Sequence, residues 1–352
     1  MSDLRIGLRV PPCRPVAELA TFIAEVEDAG FDDVYVPDSQ VLWRDAWMTL
    51  FAAAQQTSRI GLGTAVTNVA TRHPSVVASL ARTVGEAAGG RFKMGLGVGN
   101  SSVEPVGLSA STGRELREGI AAIRALLAGD EATFGDTTVR LRDPYADVPV
   151  LVAASGPRNL RLAGEIADGA VLLSGVSTSL LTRAVGLVRE GAEAAGRDAS
   201  SVEIIVSAHA MVTDDVERDA RILKPICAGM AQLGGQAALA SVGLEIEVPA
   251  HVPEIYPDLV HAEDWDLAVE HCSQWVSDED AVTFARSFAL FGDAQEIVEK
   301  MRGAQELGAT SIFLQHVGSY DLPERLRDAV ATEVLPLLRE TASGGSPASD
   351  GC

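Results

Sequence analysis

Short apolar segments of strand length recur eight times along this chain, with helical patterns between them. Most of these segments are continuously apolar rather than alternating, which is typical of strands buried on both faces of a parallel sheet. Eight strands that alternate with about eight helices predict a (β/α)8 TIM barrel, and an open doubly wound sheet is the alternative. We predict strands at residues 4–10, 33–37, 60–66, 92–97, 149–153, 170–174, 204–212 and 311–316.

The predicted helices lie between these strands. Their apolar residues recur at helical spacing, and glycine or proline marks most of their ends. We predict helices at residues 15–29, 73–88, 115–128, 158–167, 177–195, 293–307 and 323–338.

One connection is much longer than the others. Residues 214–292 follow the seventh predicted strand and contain helix-like pieces and a proline-bearing stretch. A connection this long in a barrel is usually a functional insertion. We therefore predict one domain over residues 1–340, with a helical insertion at about 214–292. Residues 341–352 are rich in Ser, Gly and Ala, and we expect a disordered tail there.

The charge of the chain excludes some classes of partner. The 352 residues include 49 acidic and 28 basic side chains, which gives a net charge of -21 at pH 7. A chain this acidic does not attract nucleic acid or an anionic membrane surface. The sequence also has no run of eighteen apolar residues, so we expect no membrane span. We expect the partner to be a small-molecule substrate.

The cysteines point to neither a metal site nor a disulfide framework. Cys13, Cys227, Cys272 and Cys352 are far apart, and no two form a CxxC pair. A zinc site is therefore not expected, and we predict no bound metal. The N-terminus does not resemble a signal peptide, so we predict a cytoplasmic protein with reduced thiols. We also expect a homodimer.

Two predicted strands end abruptly in polar residues. Asp38 and Ser39 follow the second strand, and Thr67 and Asn68 follow the third. The carboxyl ends of barrel strands form the rim where such folds do chemistry. Asp38 could accept a hydrogen bond there from a ring N–H or a hydroxyl, or it could cap a turn. Asn68 could bind a polar ring edge, or it could satisfy the loop backbone.

Other side chains near these strand ends also have two interpretations. His73 precedes Pro74, and it could be a base or, as we favour, a packing or capping residue at a helix start. Trp43 could form an aromatic wall of a pocket. Arg44 could pair with Asp45 or hold a substrate carboxylate. We take Asp38, Ser39 and His73 as the candidate catalytic residues.

A glycine-rich run ends the fourth predicted strand. Residues 95–100 contain GxGxG, but the spacing and position differ from the dinucleotide fingerprint, so we reject a Rossmann site. Glycines at a strand end instead permit close approach of the backbone to a flat ligand. Gly97, Gly99 and Asn100 are therefore candidate cofactor-binding residues.

The strongest candidate for an anion site is a loop of small residues that leads into a helix. Ala154, Ser155 and Gly156 precede that helix, where free backbone N–H groups and the helix dipole converge. Ser174 and Gly175, after the next strand, could close the same pocket. Ordinary turns also use Ser and Gly, so this pattern alone leaves both interpretations open.

Several of these motifs together resemble the bacterial luciferase-like oxidoreductases. The resemblance covers most of the chain and is carried by Asp38-Ser-Gln-x-x-Trp-Arg-Asp45, Val66-Thr-Asn-x-x-Thr-Arg-His-Pro74, Gly89-Gly-Arg91 with Gly97-x-Gly99, and Ala153-Ala-Ser-Gly156. Within that family the chain is most similar to the branch that uses coenzyme F420, typified by methylenetetrahydromethanopterin reductase. The resemblance implies a TIM barrel with an insertion after the seventh strand.

The resemblance also implies roles for individual residues. Asp38 would lie beside the deazaflavin ring, and a non-proline cis peptide between Ala65 and Val66 would back that ring. The other implied cofactor contacts are Thr67, Asn68, Gly97, Gly99 and Asn100 for the ring and ribityl chain, and Ala154, Ser155, Gly156, Ser174 and Gly175 for the phosphate. Arg158, Arg221 and Lys224 are candidates for the phosphate and the glutamate tail. Sugar-oxidising relatives place a histidine directly after the aspartate, and Ser39 in this chain argues against that substrate.

The function implied by the resemblance is an F420-dependent oxidoreductase. Such an enzyme moves a hydride between the deazaflavin and a C=N or C=C bond of a small organic substrate. An FMN-dependent monooxygenase of the same fold is one alternative. A barrel that binds a flavin-like ligand without turnover is another.

Overall fold

A computed structural model describes residues 4–318 and 320–343 of the chain. It contains eleven β-strands within those residues, nine of them in one parallel sheet. The strands are β1 Arg5–Arg9, β2 Asp33–Val36, β3 Gly61–Thr64, β4 Phe92–Leu96, β5 Ala132–Phe134, β6 Thr137–Val139, β7 Val150–Ala154, β8 Gly169–Leu172, β9 Glu203–Val212, β10 Ala289–Gly292 and β11 Ser311–Gln315.

Eight of these strands close into a barrel, as the sequence predicts. They pair in the order β1, β2, β3, β4, β7, β8, β9 and β11, and β11 pairs with β1 to complete the circle. All eight run parallel, and the pairing of β11 with β1 excludes the open sheet. The ninth strand, β10, pairs with the carboxyl end of β9 from Ala289 against His209 to Gly292 against Val212.

Helices surround the barrel and fill the segment between β9 and β10. They are α1 Val16–Asp28, α2 Ala46–Ala54, α3 Pro74–Ala87, α4 Asn100–Val103, α5 Gly113–Ala128, α6 Pro157–Ile166, α7 Thr178–Ala194, α8 Val216–Asp219, α9 Lys224–Met230, α10 Gln236–Ala240, α11 Trp265–Cys272, α12 Asp278–Phe288, α13 Ala294–Glu306, α14 Glu324–Ala329 and α15 Leu335–Ser343. No helix within the described residues has both the length and the apolar composition needed to cross a lipid bilayer.

The structure corrects the predicted bounds at two places. The last four residues of the predicted insertion, Ala289–Gly292, form β10 and belong to the parallel sheet. The predicted tail begins at 341, whereas α15 continues to Ser343, and residues 344–352 lie outside the described part of the chain. Further elements were also not predicted. Among them, the helix α2 and the β5–β6 hairpin are short, and α12 lies inside the predicted helical insertion but beyond the helix-like pieces found there.

The barrel interior beneath the rim is filled by side chains. Tyr35 and Phe313 lie with their ring centroids 4.7 Å apart, and both are buried. Gly7 and Gly63 flank the Tyr35 ring, and a Cβ at either position would lie within 3.0 Å of it. The rings therefore form a solid plug, and any ligand must sit above them at the carboxyl ends of the strands.

Candidate active site

The carboxyl ends of the strands surround a cavity of about 1340 Å³. Phe313 and Val171 form part of its floor, and residues from the segment between β9 and β10, including Tyr256 and His261, form an outer wall. Trp43 lies in another wall, with its ring stacked 5.4 Å from that of Tyr320. The predicted aromatic wall is thus present at Trp43.

Asp38 is held at the edge of this cavity by three donors to one oxygen. Its Oδ2 accepts hydrogen bonds from Thr67 Oγ1 at 2.7 Å, from Arg72 Nη1 at 2.5 Å and from Trp47 Nε1 at 3.3 Å. No hydrogen bond from any described residue falls on Oδ1. Because Asp38 lines the cavity, Oδ1 is the oxygen that remains for a ligand.

The surroundings of Asp38 act on its pKa in opposite directions. Burial raises the pKa of Asp38 above the ordinary carboxyl value, while the Arg72 guanidinium and the Thr67 hydroxyl favour the charged form. Burial prevails, so the pKa is raised overall. A carboxyl group with a raised pKa can hold a proton closer to neutral pH, which suits an acid–base role.

The loop after β3 forms the rear of the site. The peptide bond between Ala65 and Val66 is cis, as the resemblance implies, and both residues line the cavity. Thr67 lies behind Asp38 and contacts it, without lining the cavity. Asn68 is fully buried, and its Oδ1 accepts from the backbone N–H groups of Ala70 and Thr71, which matches the interpretation that Asn68 satisfies the loop.

The glycine-rich loop after β4 faces the same cavity. Gly97, Gly99 and Asn100 all line it. Gly99 has φ +89°, and a Cβ there would lie 3.0 Å from the Cβ of Asn68, so only glycine fits between the two loops. Ser39 also lines the cavity, and its hydroxyl lies 2.8 Å from that of Ser101.

The start of α6 presents the candidate anion site. Ala154 and Ser155 line the cavity, and Gly156 is the residue before the helix. A Cβ at Gly156 would meet no atom within 4 Å, so the space in front of this backbone is open. Ser174 and Gly175 do not line the cavity among the described residues, and Gly175 instead packs closely against Leu180 and Phe288.

Several candidate residues lie elsewhere. His73 is exposed, caps α3 by accepting from the Ser75 N–H, and contacts Phe134 with the ring centroids 4.3 Å apart, and it does not line the cavity. Of the two interpretations of Arg44, the structure does not show the pair with Asp45, because Asp45 pairs with Arg72 and Arg44 donates to the Tyr320 hydroxyl at 3.0 Å.

The proposed basic partners of the cofactor tail are also placed away from the cavity. Arg221 and Lys224 both pair with Asp278, at 2.6 and 2.8 Å, inside the helical segment. Arg158 is exposed on the first turn of α6 and does not line the cavity.

Sequence reasoning missed three residues of the site. Arg72 directly precedes His73 in the sequence, and Trp47 follows Trp43 by four residues. Arg9 ends β1 and lines the cavity. The signal for Arg9 was available, because a polar residue at a strand end was the criterion that selected Asp38, whereas Arg72 and Trp47 end no strand. Within the described residues, no group of three or more His, Cys, Asp or Glu side chains is placed to hold a metal ion.

Comparison with known proteins is consistent with this geometry. The family model described as luciferase-like monooxygenase matches residues 4–311. An F420-dependent glucose-6-phosphate dehydrogenase of Beutenbergia cavernae is 31% identical over 342 residues, covering 92% of this chain and 93% of that protein. A 5,10-methylenetetrahydromethanopterin reductase of Methanolobus tindarius is 33% identical over 222 residues, covering 61% and 68%.

A solved structure shows the same fold. The coenzyme F420-dependent tetrahydromethanopterin reductase of Methanopyrus kandleri superposes with a TM-score of 0.76 at 22% identity, covering 96% of this chain and 100% of that one. The family match spans most of the barrel, and the B. cavernae relative aligns over nearly its full length. This chain therefore belongs to the luciferase-like monooxygenase family and is an oxidoreductase of that family.

Proposed function

We propose that the protein is a coenzyme F420-dependent oxidoreductase that transfers a hydride between the deazaflavin and a C=N or C=C bond of a small organic substrate. The observation that carries this proposal is Asp38, which lines the cavity and whose Oδ2 is fixed by three donors while its Oδ1 accepts no hydrogen bond from the described residues. The two relatives compared above, which carry F420-dependent and reductase names, support the choice of cofactor.

The residues at the cavity suit such a cofactor. Pockets for drug-sized ligands measure about 300–1,000 Å³, so a cavity of about 1340 Å³ has room for a cofactor and a small substrate. The open space at Gly156, in front of the first turn of α6, would accept a phosphate on free backbone amides. Ala65, Val66, Gly97 and Gly99 would contact the ring.

When bound in its reduced form, the deazaflavin would supply a hydride, which is a proton with two electrons, to one end of the double bond. The other end then needs a proton as the π bond breaks. Asp38 would donate that proton from Oδ1. Thr67 and Arg72 would keep Oδ2 in place, so that the carboxyl does not rotate between turnovers.

Sugar oxidation remains the less favoured reaction. It would need a base next to Asp38, and the position holds Ser39, whose hydroxyl is engaged with Ser101. A serine hydroxyl does not titrate near neutral pH. Arg9 is also the sole Lys or Arg among the described residues lining the cavity, which is little charge for a sugar phosphate.

The experiment that tests this function follows the hydride. Reduced F420 carrying deuterium at the transferring carbon is incubated with the enzyme and a panel of imines and activated alkenes. We expect one deuterium at the product atom that accepts the hydride. When only the solvent is labelled, we expect no deuterium at that atom. Oxygen insertion with reduced FMN would instead favour a monooxygenase, and a cofactor that stays reduced with every acceptor would favour a binding protein without turnover.

We further infer that the enzyme works as a homodimer. Met48 and Phe51 on α2 and Val76 on α3 are exposed, and these two helices are neighbours. Sedimentation velocity at micromolar concentration tests this, with one species of twice the chain mass expected and a monomer contradicting it. The cytoplasmic location stays a prediction.

A further inference from the structure

Arg9 is a cation at the floor of the cavity. It is the last residue of β1, is partly buried, and lines the cavity. Its guanidinium carbon lies 5.5 Å from the centre of the Trp43 ring. On the neighbouring strand β11, Gln315 donates to Ser207 Oγ at 2.8 Å, and both of these residues line the cavity as well.

Arg9 has no anionic partner within the described part of the chain. None of the described residues forms an ion pair or a hydrogen bond with its guanidinium, although eighteen ion pairs occur elsewhere within the described ranges. Burial lowers the pKa of Arg9 to about 10, which still leaves it charged at neutral pH. An unpaired, partly desolvated cation is costly and is rarely kept without a use.

The histidines beside Arg9 do not add to its charge. Burial, with Arg9 as a further cause, lowers the pKa of His209 to about 3 and that of His316 to about 4. Both imidazoles are therefore neutral at neutral pH. A ligand that reaches this floor meets a single positive charge.

The strand order separates Arg9 from the proposed phosphate site. In the closed barrel, β7 is the fifth strand counted from β1, so the two lie on opposite sides. The phosphate site follows β7 and Arg9 ends β1. One short anion cannot contact both, and Arg9 is free for a second anionic group.

We propose that Arg9 binds a carboxylate of the substrate, so that the reducible C=N or C=C bond belongs to a small organic acid. This inference rests on the proposed function and names its substrate class. A guanidinium matches a planar carboxylate with two parallel N–H···O bonds. The Trp43 ring beside it would pack against the planar, conjugated part of such an acid.

The charges around the cavity favour a monoanion over a phosphate ester. Glu104, Asp258 and Glu263 also line it and would repel a dianion. His261 lies 2.9 Å from Asp258, and although burial opposes this, the hydrogen bonds from His261 keep the pKa of Asp258 lowered and the carboxylate charged. The single cation Arg9 can offset one negative charge of a ligand, and the surrounding carboxylates would repel a second one.

The test uses two ligands of the same shape and different charge, cinnamate and cinnamamide. Their binding to the wild-type protein and to Arg9→Gln is measured by titration calorimetry, with and without saturating F420. We expect the wild type to bind cinnamate at least about tenfold more tightly than cinnamamide, as a charge-assisted bidentate contact implies. Arg9→Gln should bind the two equally, and Arg9→Lys should keep part of the preference.

Two controls separate this inference from other causes. Arg14→Gln removes an exposed cation that pairs with Asp321 at 3.6 Å, and it should leave the preference for cinnamate unchanged. Arg9→Gln should melt at the same temperature as the wild type or higher, because a buried charge is removed and no ion pair or hydrogen bond to a described residue is lost, only the contact with the Trp43 ring. A loss of stability would mark Arg9 as a structural residue and contradict the proposal.

The other possible outcomes of these titrations also decide whether the proposal holds. Equal binding of both ligands by the wild type, or an unchanged preference in Arg9→Gln, overturns the carboxylate site. If Arg9→Gln weakens F420 more than tenfold and leaves cinnamate unaffected, Arg9 serves the cofactor and the proposal is wrong. A wild type that prefers cinnamate but does not bind F420 would refute the proposed function and leave the anion site standing.

Discussion

At the scale of single residues, the proposed proton transfer depends on Asp38. Its carboxyl group is buried at the edge of the cavity, with one oxygen held by three donors and the other without a hydrogen bond from the described residues. This arrangement separates two tasks, because the fixed oxygen positions the group while the free oxygen can exchange a proton.

Replacing Asp38 by Asn tests that division. The amide oxygen can accept the same three hydrogen bonds that Oδ2 accepts now, so we expect nearly unchanged thermal stability. The proton donor is lost, and a positioned acid contributes about 10²–10⁴-fold, so kcat should fall at least about tenfold. Steady-state kinetics and a melting curve measure both effects. Full activity with a collapsed melting temperature would show that Asp38 is a structural cap.

Arg72 should set the pH dependence of the same proton. Its cation lowers the pKa of Asp38 against the larger effect of burial, so Arg72→Gln should raise that pKa further. The reductive direction needs protonated Asp38, and kcat therefore falls as pH rises through this pKa. In Arg72→Gln that fall should move to higher pH, while Arg72→Lys should stay near the wild type. A shift to lower pH would contradict the assignment.

Sequence reasoning found part of this network. Asp38 and Thr67 follow buried strands, which is a local signal that can be read from the sequence. Arg72 and Trp47 were missed because their link to Asp38 is made in space, across 34 and 9 residues. His73 looked more reactive than Arg72 on chemistry alone, yet the geometry of the helix start turns its ring toward Ser75 and Phe134.

At the scale of elements, α6 links barrel packing to the proposed phosphate site. Its first turn faces the open space at Gly156, and its body packs on α7 with almost no separation. A Cβ on Gly164 would lie 1.9 Å from the Val188 carbonyl oxygen, and one on Gly191 would lie 2.0 Å from the Arg161 carbonyl oxygen. The two backbones can approach this closely only because both positions are glycine.

Gly156→Asp tests the start of α6. The backbone there has φ -87° and ψ 157°, which any residue adopts, and the added side chain meets open space, so the fold should persist. The new carboxylate would face the cofactor phosphate, and F420 affinity should fall at least about tenfold, or 1.4 kcal/mol. Fluorescence titration measures it, with Gly156→Ala as the uncharged control. Equal affinity in both variants would move the phosphate site elsewhere.

Gly164→Ala tests the contact between α6 and α7. The added methyl group overlaps the Val188 backbone, and overpacking of this kind costs about 1–3 kcal/mol of the free energy of unfolding. Gly186 is the matched control on α7, since a Cβ there meets nothing within 4 Å. Gly186→Ala should stabilise by about 0.5–1 kcal/mol through helix propensity. Denaturant unfolding compares them, and equal effects would contradict the packing described.

The elements that were predicted share a strong local signal. Most of the barrel strands are continuous apolar runs bounded by turn residues, and this local signal locates them. β10 was missed because Ala289-Leu-Phe-Gly292 follows α12 without a turn residue, and its partner is the far end of β9. The next helix was predicted to begin at Asp293, which is the N-cap of α13, so the predicted insertion ended at 292 and included the four residues of β10.

At the scale of the whole molecule, the barrel and the helical segment form different parts of the site. The strand ends carry Asp38 and the cis peptide, and the opposite strands β1 and β7 place Arg9 and the start of α6 on either side. The segment between β9 and β10 covers the cavity. Fold and rim follow from the alternation of strands and helices, whereas the cover depends on long-range packing that no local pattern records.

The most direct test of the central claim is an equilibrium titration of the wild-type protein with oxidised F420 and, separately, with FMN. We predict saturable binding of F420 at one site per chain, with an affinity at least about tenfold higher than that for FMN. This affinity should be lower in Gly156→Asp. Tight FMN binding without F420 binding would contradict it.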